Sequence, residues 1–453
     1  MNILSPIRAL GILSILSFTS FAYAQEKTLT INETVALALV SDPELQSSLA
    51  TKDAGVEAKW ASIAPLLPNV SLTYQRNPNA KTDTQGANPL NPSQWSTSQY
   101  SSSSQVVQIR QTIFRTRQFI GLAQGLKQED LALLNYQHAF SQAVLRALSS
   151  YGSWLNDESQ LKYAQQATEA LELRERMYEK MTQKGLASIT DLAKARQEKH
   201  RAQLERSTAK QQLEFSKQAF NGLLNQKNIR PAPLTKTPEP NTLLFKENFD
   251  HLLDQTLNQN YEIRAAEKAL EIANLEVKKN LLDHSPTVDF LAQHSKSDSF
   301  SDVAVGRKYE TTTMGIVITI PISQGGAVLS ATRQADTNLR KAQANLQTTK
   351  NRINREFYKA FEALTTAQDR WELAKTAIKA TELELESINK QEAAGLKSKV
   401  DVMLAKKNHT EAQRDETRAK TKWILAKAEL LSLKGDIDKV VGQEYTSLFS
   451  SQF

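Results

Sequence analysis

Two stretches of this chain, residues 116–183 and 327–394, run for 68 residues each without a proline. Proline ends a helix because it lacks the N–H the ladder needs and clashes with the carbonyl one turn back. Its absence over such a length permits helices that, if unbroken, reach about 100 Å apiece. The apolar residues agree. Trp371, Ala374, Ile378, Leu385 and Ile388 keep the 3-4 spacing of a coiled-coil seam, and so do Leu192, Ala195, Ala202, Ala209, Leu213, Phe220 and Leu223. Alanines on the seam allow close approach. Such rods must pack in antiparallel pairs, and Gly185 and Gly395 mark the only sharp turns available to them.

The whole layout occurs twice. Ala38-Leu39-Val40-Ser41-Asp42-Pro43-Glu44-Leu45 overlays Thr256-Leu257-Asn258-Gln259-Asn260-Tyr261-Glu262-Ile263, and at the same offset Pro68-Asn69-Val70-Ser71-Leu72 overlays Pro286-Thr287-Val288-Asp289-Phe290. Further on, Ile109 to Ile113 matches Ile318 to Ile322, and Lys184-Gly185-Leu186 with Asp191 matches Ala394-Gly395-Leu396 with Asp401. A unit of about 200 residues is too long for a solenoid repeat, so the pattern describes two copies of one structural unit within a single closed body. The expected division is a signal segment 1–24, a first unit 25–230, a proline-rich linker 231–240, a second unit 241–435 and a tail 436–453.

Ahead of each long helix the period changes from 3.6 to 2. Val70, Leu72 and Tyr74 alternate with polar neighbours, as do Val107, Ile109 and Ile113, then Val288, Phe290 and Ala292, then Met314, Ile316, Ile318, Ile320 and Ile322. The spacing predicts strands near 68–76, 105–114, 286–294 and 312–322, each about the length of a tilted bilayer span. The polar segments 77–104 and 296–310 read as solvent loops joining each pair. Two strand pairs cannot close a barrel alone, and an open edge in lipid leaves backbone groups unpaired at several kcal/mol each. Closure therefore requires several copies, with the apolar set facing lipid and the polar set facing water inside.

Composition removes other classes. Arg8, the apolar run from Ala9 to Phe21 and Ala22-Tyr23-Ala24 read as an export signal with its cleavage site, and no later run is long enough for a spanning helix. Cysteine is absent, which excludes disulfides, thiolate metal sites and a lipid-modified cysteine. The six histidines show no HxxxH or HExxH spacing, so neither a metal nor a cofactor is expected. The formal charge is +7, or +6 once the segment carrying Arg8 is removed. Anionic lipid headgroups or solvated helix faces account for that excess, and no basic run interleaved with aromatics suggests nucleic acid. No hydrolase, P-loop or dinucleotide motif is present, so an enzyme is not expected.

The chain from about Leu29 to Gly435 resembles the TolC-like outer-membrane efflux protein family, of the type without a lipid anchor. The resemblance rests on the twice-repeated order of helix, strand, strand, long helix, turn and helix. Leu66-Leu67-Pro68-Asn69-Val70-Ser71 enters the first strand, Ile320-Pro321-Ile322-Ser323-Gln324-Gly325-Gly326 leaves the fourth, and Lys184 to Asp191 and Ala394 to Asp401 form the turns. It implies a mainly α fold with a small β part: long antiparallel helix pairs in an α-helical barrel, plus four transmembrane strands per chain that complete a 12-stranded barrel as a homotrimer. It also implies an exit duct in the outer membrane with a long periplasmic part, serving a tripartite efflux pump or type I secretion system. The implied partners are outer-membrane lipid, a periplasmic adaptor (membrane fusion) protein and, through it, an inner-membrane pump or ABC transporter.

Site residues follow from the turns. Ser188 with Asp191, and Ser398 with Asp401, have capping-box spacing just after a turn glycine. The resemblance assigns Asp401, with Asp191, to a periplasmic gate, where copies from three chains form an acidic ring. Leu404 stands where better-known members have a second aspartate, and Glu392 where an aromatic gate residue often sits. Lys397 is expected to be either a solvated tip residue or a partner of Asp191 on a neighbouring helix. The resemblance makes Gly185, Leu186, Gly395 and Leu396 adaptor contacts, while the glycines also suit the left-handed residue that ends a helix. The rival reading, a soluble periplasmic coiled-coil adaptor or scaffold, explains the seams but leaves the strand pairs without a role.

Overall fold

The computed structural model describes residues 27–85, 90, 93, 95–234, 249–301 and 307–437. The export signal, residues 235–240 of the linker and the tail from residue 438 lie outside the described residues. In chain order the elements are β1 (Lys27–Leu29), α1 (Ile31–Ser41), α2 (Pro43–Ile63), β2 (Asn69–Gln85), β3 (Trp95–Phe114), α3 (Thr116–Gln183) and α4 (Ile189–Leu223). Then come β4 (Ile229–Pro231), α5 (Phe249–Gln259), α6 (Tyr261–Leu281), β5 (Thr287–Ser301), β6 (Arg307–Thr319), α7 (Ala327–Ala393) and α8 (Lys399–Lys434). The proline-free stretches are single helices of 68 and 67 residues.

Equivalent breaks punctuate the two halves for equivalent reasons. Pro43 cannot continue α1, and Asp42 caps the restarted helix by accepting from the Glu44 amide at 2.9 Å. At the equivalent break of the second half Tyr261 stands in place of the proline, and Asn260 caps α6, its side-chain oxygen accepting from the amides of Glu262 and Ile263 at 2.9 and 3.1 Å. Two core clusters form, the first reaching into the second half to take in Ala428 and Ile437. Around α3 and α4, Phe220 meets Trp154 edge-on at 5.3 Å and Tyr151 at 6.3 Å. Around α7 and α8, Trp371 lies 5.2 Å from Trp423, with Leu252 of α5 in the same cluster. Burying a side chain of this size contributes about 1.5–3 kcal/mol. A parallel two-stranded sheet, β1 with β4, ties the start of the first half to its end. Tyr151 donates to the Ala232 carbonyl beside it at 2.6 Å, and burial pushes the phenol up to about 12.

The elements stack in three tiers. β2, β3, β5 and β6 form one antiparallel sheet in that order. Below it α2 packs along α3, α3 along α6 and α6 along α7. Further down α4 packs along α3, α3 along α8 and α8 along α7. Every tier is thus four elements wide, with β2, α2 and α4 on one flank and β6 and α7 on the other.

Two expectations change. The segments 77–104 and 296–310 are not simply loops, because β2 and β3 stay paired from Asn69↔Arg110 out to Gln85↔Trp95, and β5 and β6 stay paired out to Ser299↔Arg307. Backbone pairing needs no apolar alternation, so it continues past the point where that alternation ends. Conversely Ile320 and Ile322 lie beyond β6, which stops at Thr319, where Pro321 interrupts the ladder.

Candidate functional site

The candidate function is carried by the two helix tips, one face of the sheet, and the junction where sheet meets helix.

At the tips the turns are duplicates. Gly185 sits at φ +70° and Gly395 at φ +77°, both in the left-handed region. Leu186 and Gly185 donate to the carbonyls of Met181 and Thr182 at 2.8 and 3.0 Å, and Leu396 and Gly395 donate to those of Gln391 and Glu392 at 2.9 and 2.8 Å. This double bond pattern closes a helix only if its pivot residue accepts positive φ. The return helices then start on capping boxes. Asp191 N donates to Ser188 Oγ at 3.0 Å while Ser188 Oγ donates to Asp191 Oδ2 at 2.7 Å. Ser398 N and Oγ donate to Asp401 Oδ2 at 2.9 and 2.8 Å. The Ser188 hydroxyl, and then its amide, hold the Asp191 carboxyl below its ordinary value; for Asp401 the Ser398 amide ranks first and the hydroxyl second. Leu186, Ile189 and Leu396 are 69, 79 and 76% exposed, large apolar side chains presented to solvent at the extreme end of the molecule. The Lys397 charge, four residues before Asp401, adds a smaller lowering to that carboxyl. Among the described residues no ion pair within the chain joins it to Asp191. Ion pairs between α3 and α4 lock the first hairpin, with Arg174 to Glu198 at 2.8 Å and Lys199 to Glu175 at 2.9 Å.

The sheet has two unlike faces. Residues paired directly across strands share a face, so Val70, Ile109, Ala292 and Met314 form one row, with Gln111, Phe290 and Ile316 below it and Leu72, Val107, His294 and Thr312 above. Val70, Leu72, Met314, Ile316 and Ile318 are each more than half exposed. The opposite face carries Ser71, Gln108, Gln293 and Thr313 at the same level. At its foot Asp289, 3% exposed, receives Arg110 at 2.5 Å and Arg115 at 2.9 Å, tying β5 to β3 and to the residue that begins α3. Asp289 is a functional residue that no motif marks; its one signal in the sequence is a lone carboxylate inside an alternating strand, where a charge is costly unless paired.

An amphipathic sheet set on long helical hairpins defines a membrane conduit of the outer-membrane kind. The chain belongs to the outer membrane efflux protein family, whose sequence profile matches residues 34–226 and 252–436. It is similar to the proteases secretion protein PrtF of Dickeya chrysanthemi, 21% identical over 92% of this chain and 90% of that protein. The outer membrane protein TolC of Escherichia coli is 24% identical over 94% of this chain and 85% of its own. Among solved structures the outer membrane channel CmeC of Campylobacter jejuni superposes with a TM-score of 0.71 at 16% identity, covering 98% of this chain and 97% of that one. Like them, this protein belongs in the outer membrane, with its helices in the periplasm, as an exit duct.

Proposed function

We propose that three copies of the chain close a single passive duct, with a 12-stranded barrel in the outer membrane and a helical tunnel below. An adaptor docks at the tips and couples the duct to an inner-membrane pump or ABC transporter. The observation that carries this reading is that all three tiers are open on the same two flanks. A head-to-tail contact of β2, α2 and α4 on one copy with β6 and α7 on the next satisfies every tier at once, and repeating it closes a ring. An unclosed sheet in lipid leaves unpaired backbone along both edges. A soluble scaffold has no use for the apolar face of the sheet. The family resemblance supplies the number three.

In this assembly Asp401 and Asp191 line the periplasmic aperture, with Lys397 beside them. Three carboxylates brought together raise one another's pKa, opposing the lowering each receives from its cap. Leu186 and Leu396 give an adaptor apolar ground to cover. PrtF is by its name a protease secretion protein, and one duct design serves protein secretion and small-molecule efflux alike because the pump selects the cargo. The deciding experiment is native mass and crosslinking of the mature protein extracted from outer membranes in mild detergent. A trimer is expected; a water-soluble monomer or dimer refutes the reading.

A further inference from the structure

Outward from the apolar rows, the same face of the sheet changes character. The next two rows are Tyr74, Gln105, Lys296 and Glu310, then Arg76, Ser103, Asp298 and Lys308. On the other face the corresponding rows hold Thr73, Val106, Ser295 and Thr311, then Gln75, Ser104, Ser297 and Tyr309, without a charge. The charges at this height therefore sit on the side turned toward lipid and not on the side turned toward the water-filled interior. Charges serving only solubility have no reason to make that choice.

The height is informative. From Val288, in the innermost apolar row, to Lys296 is eight residues, about 27 Å along the strand at 3.4 Å per residue. With a strand tilt of about 40° this is roughly 20 Å across the membrane, close to the roughly 25 Å apolar band of such barrels. Tyr74, Lys296 and Glu310 then lie at the interface and Arg76, Asp298 and Lys308 one row further out, at headgroup level, on the end of the sheet away from the helices. The partners are also uneven. Lys308 Nζ meets Asp298 at 3.2 Å. Glu310, directly across from Lys296, turns to His294 at 3.4 Å. Among the described residues Arg76 and Lys296 meet no carboxylate, which leaves two uncommitted cations per chain at the outer edge of the lipid-facing surface.

We propose that Arg76 and Lys296 bind the phosphate groups of the phosphorylated glycolipid of the outer leaflet, lipid A, so that the protein carries a girdle of specific lipid contacts. A guanidinium matches phosphate oxygens two at a time, and an ammonium adds a point charge; with β3 between them, Arg76 and Lys296 each offer a separate contact to a lipid that carries two phosphates. The proposal rests on the duct reading. Its test is native mass spectrometry of the full-length protein in neutral detergent, titrated with bisphosphorylated lipid A and, separately, with dephosphorylated lipid A. The wild type is expected to retain the phosphorylated lipid preferentially. R76Q/K296Q should lower that retention on the order of tenfold, while K184Q/K194Q at the tip leaves it unchanged. Equal retention of the two lipids, or equal retention by R76Q/K296Q and wild type, overturns the proposal. The same spectra give the oligomeric mass: a trimer indifferent to phosphate refutes the lipid site alone, and a detergent-independent monomer refutes both this and the duct.

Discussion

Replacing Gly395 separates the two roles its turn can have, shaping the chain and meeting a partner. A Cβ built on Gly395 finds no atom within 4 Å, so a side chain there suffers no clash, and its whole cost arises from φ +77°. For alanine held in the left-handed region that cost is roughly 1–2 kcal/mol, which multiplies the population of the opened turn by about 5 to 30. Asparagine tolerates the region and should cost a few tenths of a kcal/mol at most. Gly222 provides the opposite sign, since it lies in the last turn of α4 without positive φ, also with nothing within 4 Å, and Gly222→Ala should stabilise its helix by at most about 0.5 kcal/mol. Hydrogen exchange of peptides spanning residues 385–410 is the assay. Gly395→Ala should speed exchange there, Gly395→Asn should barely change it, and Leu396→Ser should leave it alone while weakening adaptor capture. If asparagine proves as damaging as alanine, or alanine has no effect, the conformational argument fails.

Gly55 lies so close to α3 that an added Cβ falls 2.5 Å from Ala132 Cβ, so Gly55→Ala should force α2 and α3 apart and lower thermal stability by about 1–3 kcal/mol. Ile316→Arg should impair membrane insertion, at a cost of about 2–4 kcal/mol near mid-bilayer, whereas Thr313→Arg on the other face should insert normally; equal yields from outer-membrane fractions would reverse the assignment of faces. Phe220→Ala should destabilise the first-half core by about 3–5 kcal/mol, read from thermal unfolding in detergent. Asp191 and Asp401 both titrate below the ordinary 3.8, so the stability they contribute to the tips is complete above that value and is lost as pH falls through their lower folded values. Tip exchange, corrected for its intrinsic pH dependence, should stay flat down to about pH 4 and rise below it. A conductance change at distinctly higher pH would instead report carboxylates facing one another in a ring.

The sequence displayed its local physics well and its non-local physics poorly. The missing prolines, Gly185, Gly395 and the Ser-x-x-Asp spacings are instructions read within a turn or two, and helices α3 and α7, both turns and both caps stand where those residues put them. The outer lengths of β2 and β3 were hidden because Ser101 to Ser104 are held by backbone pairing with no apolar alternation to mark them. The clasp of β1 with β4 was hidden because three residues show no period. Asp289 looked like one more polar residue until Arg110 and Arg115, distant in sequence, closed on it. Alternation did mark one face of the sheet as apolar, and the same period carries Arg76 and Lys296 onto it, but that β5 runs on past residue 294 to include Lys296 depends on its pairing with β3 and β6.

The open flanks shared by all three tiers bear on inheritance. A ring whose seams are all of one kind has no place where a damaged copy can be left out, because every copy offers both flanks to its neighbours. If three copies close the ring as proposed, then in a cell making equal amounts of a normal chain and one with a spoiled flank, random mixing leaves only about one ring in eight wholly normal. Faults along β2, α4 or α7 should therefore act dominantly, whereas a fault that stops the chain folding at all should be recessive, since such a copy never joins a ring.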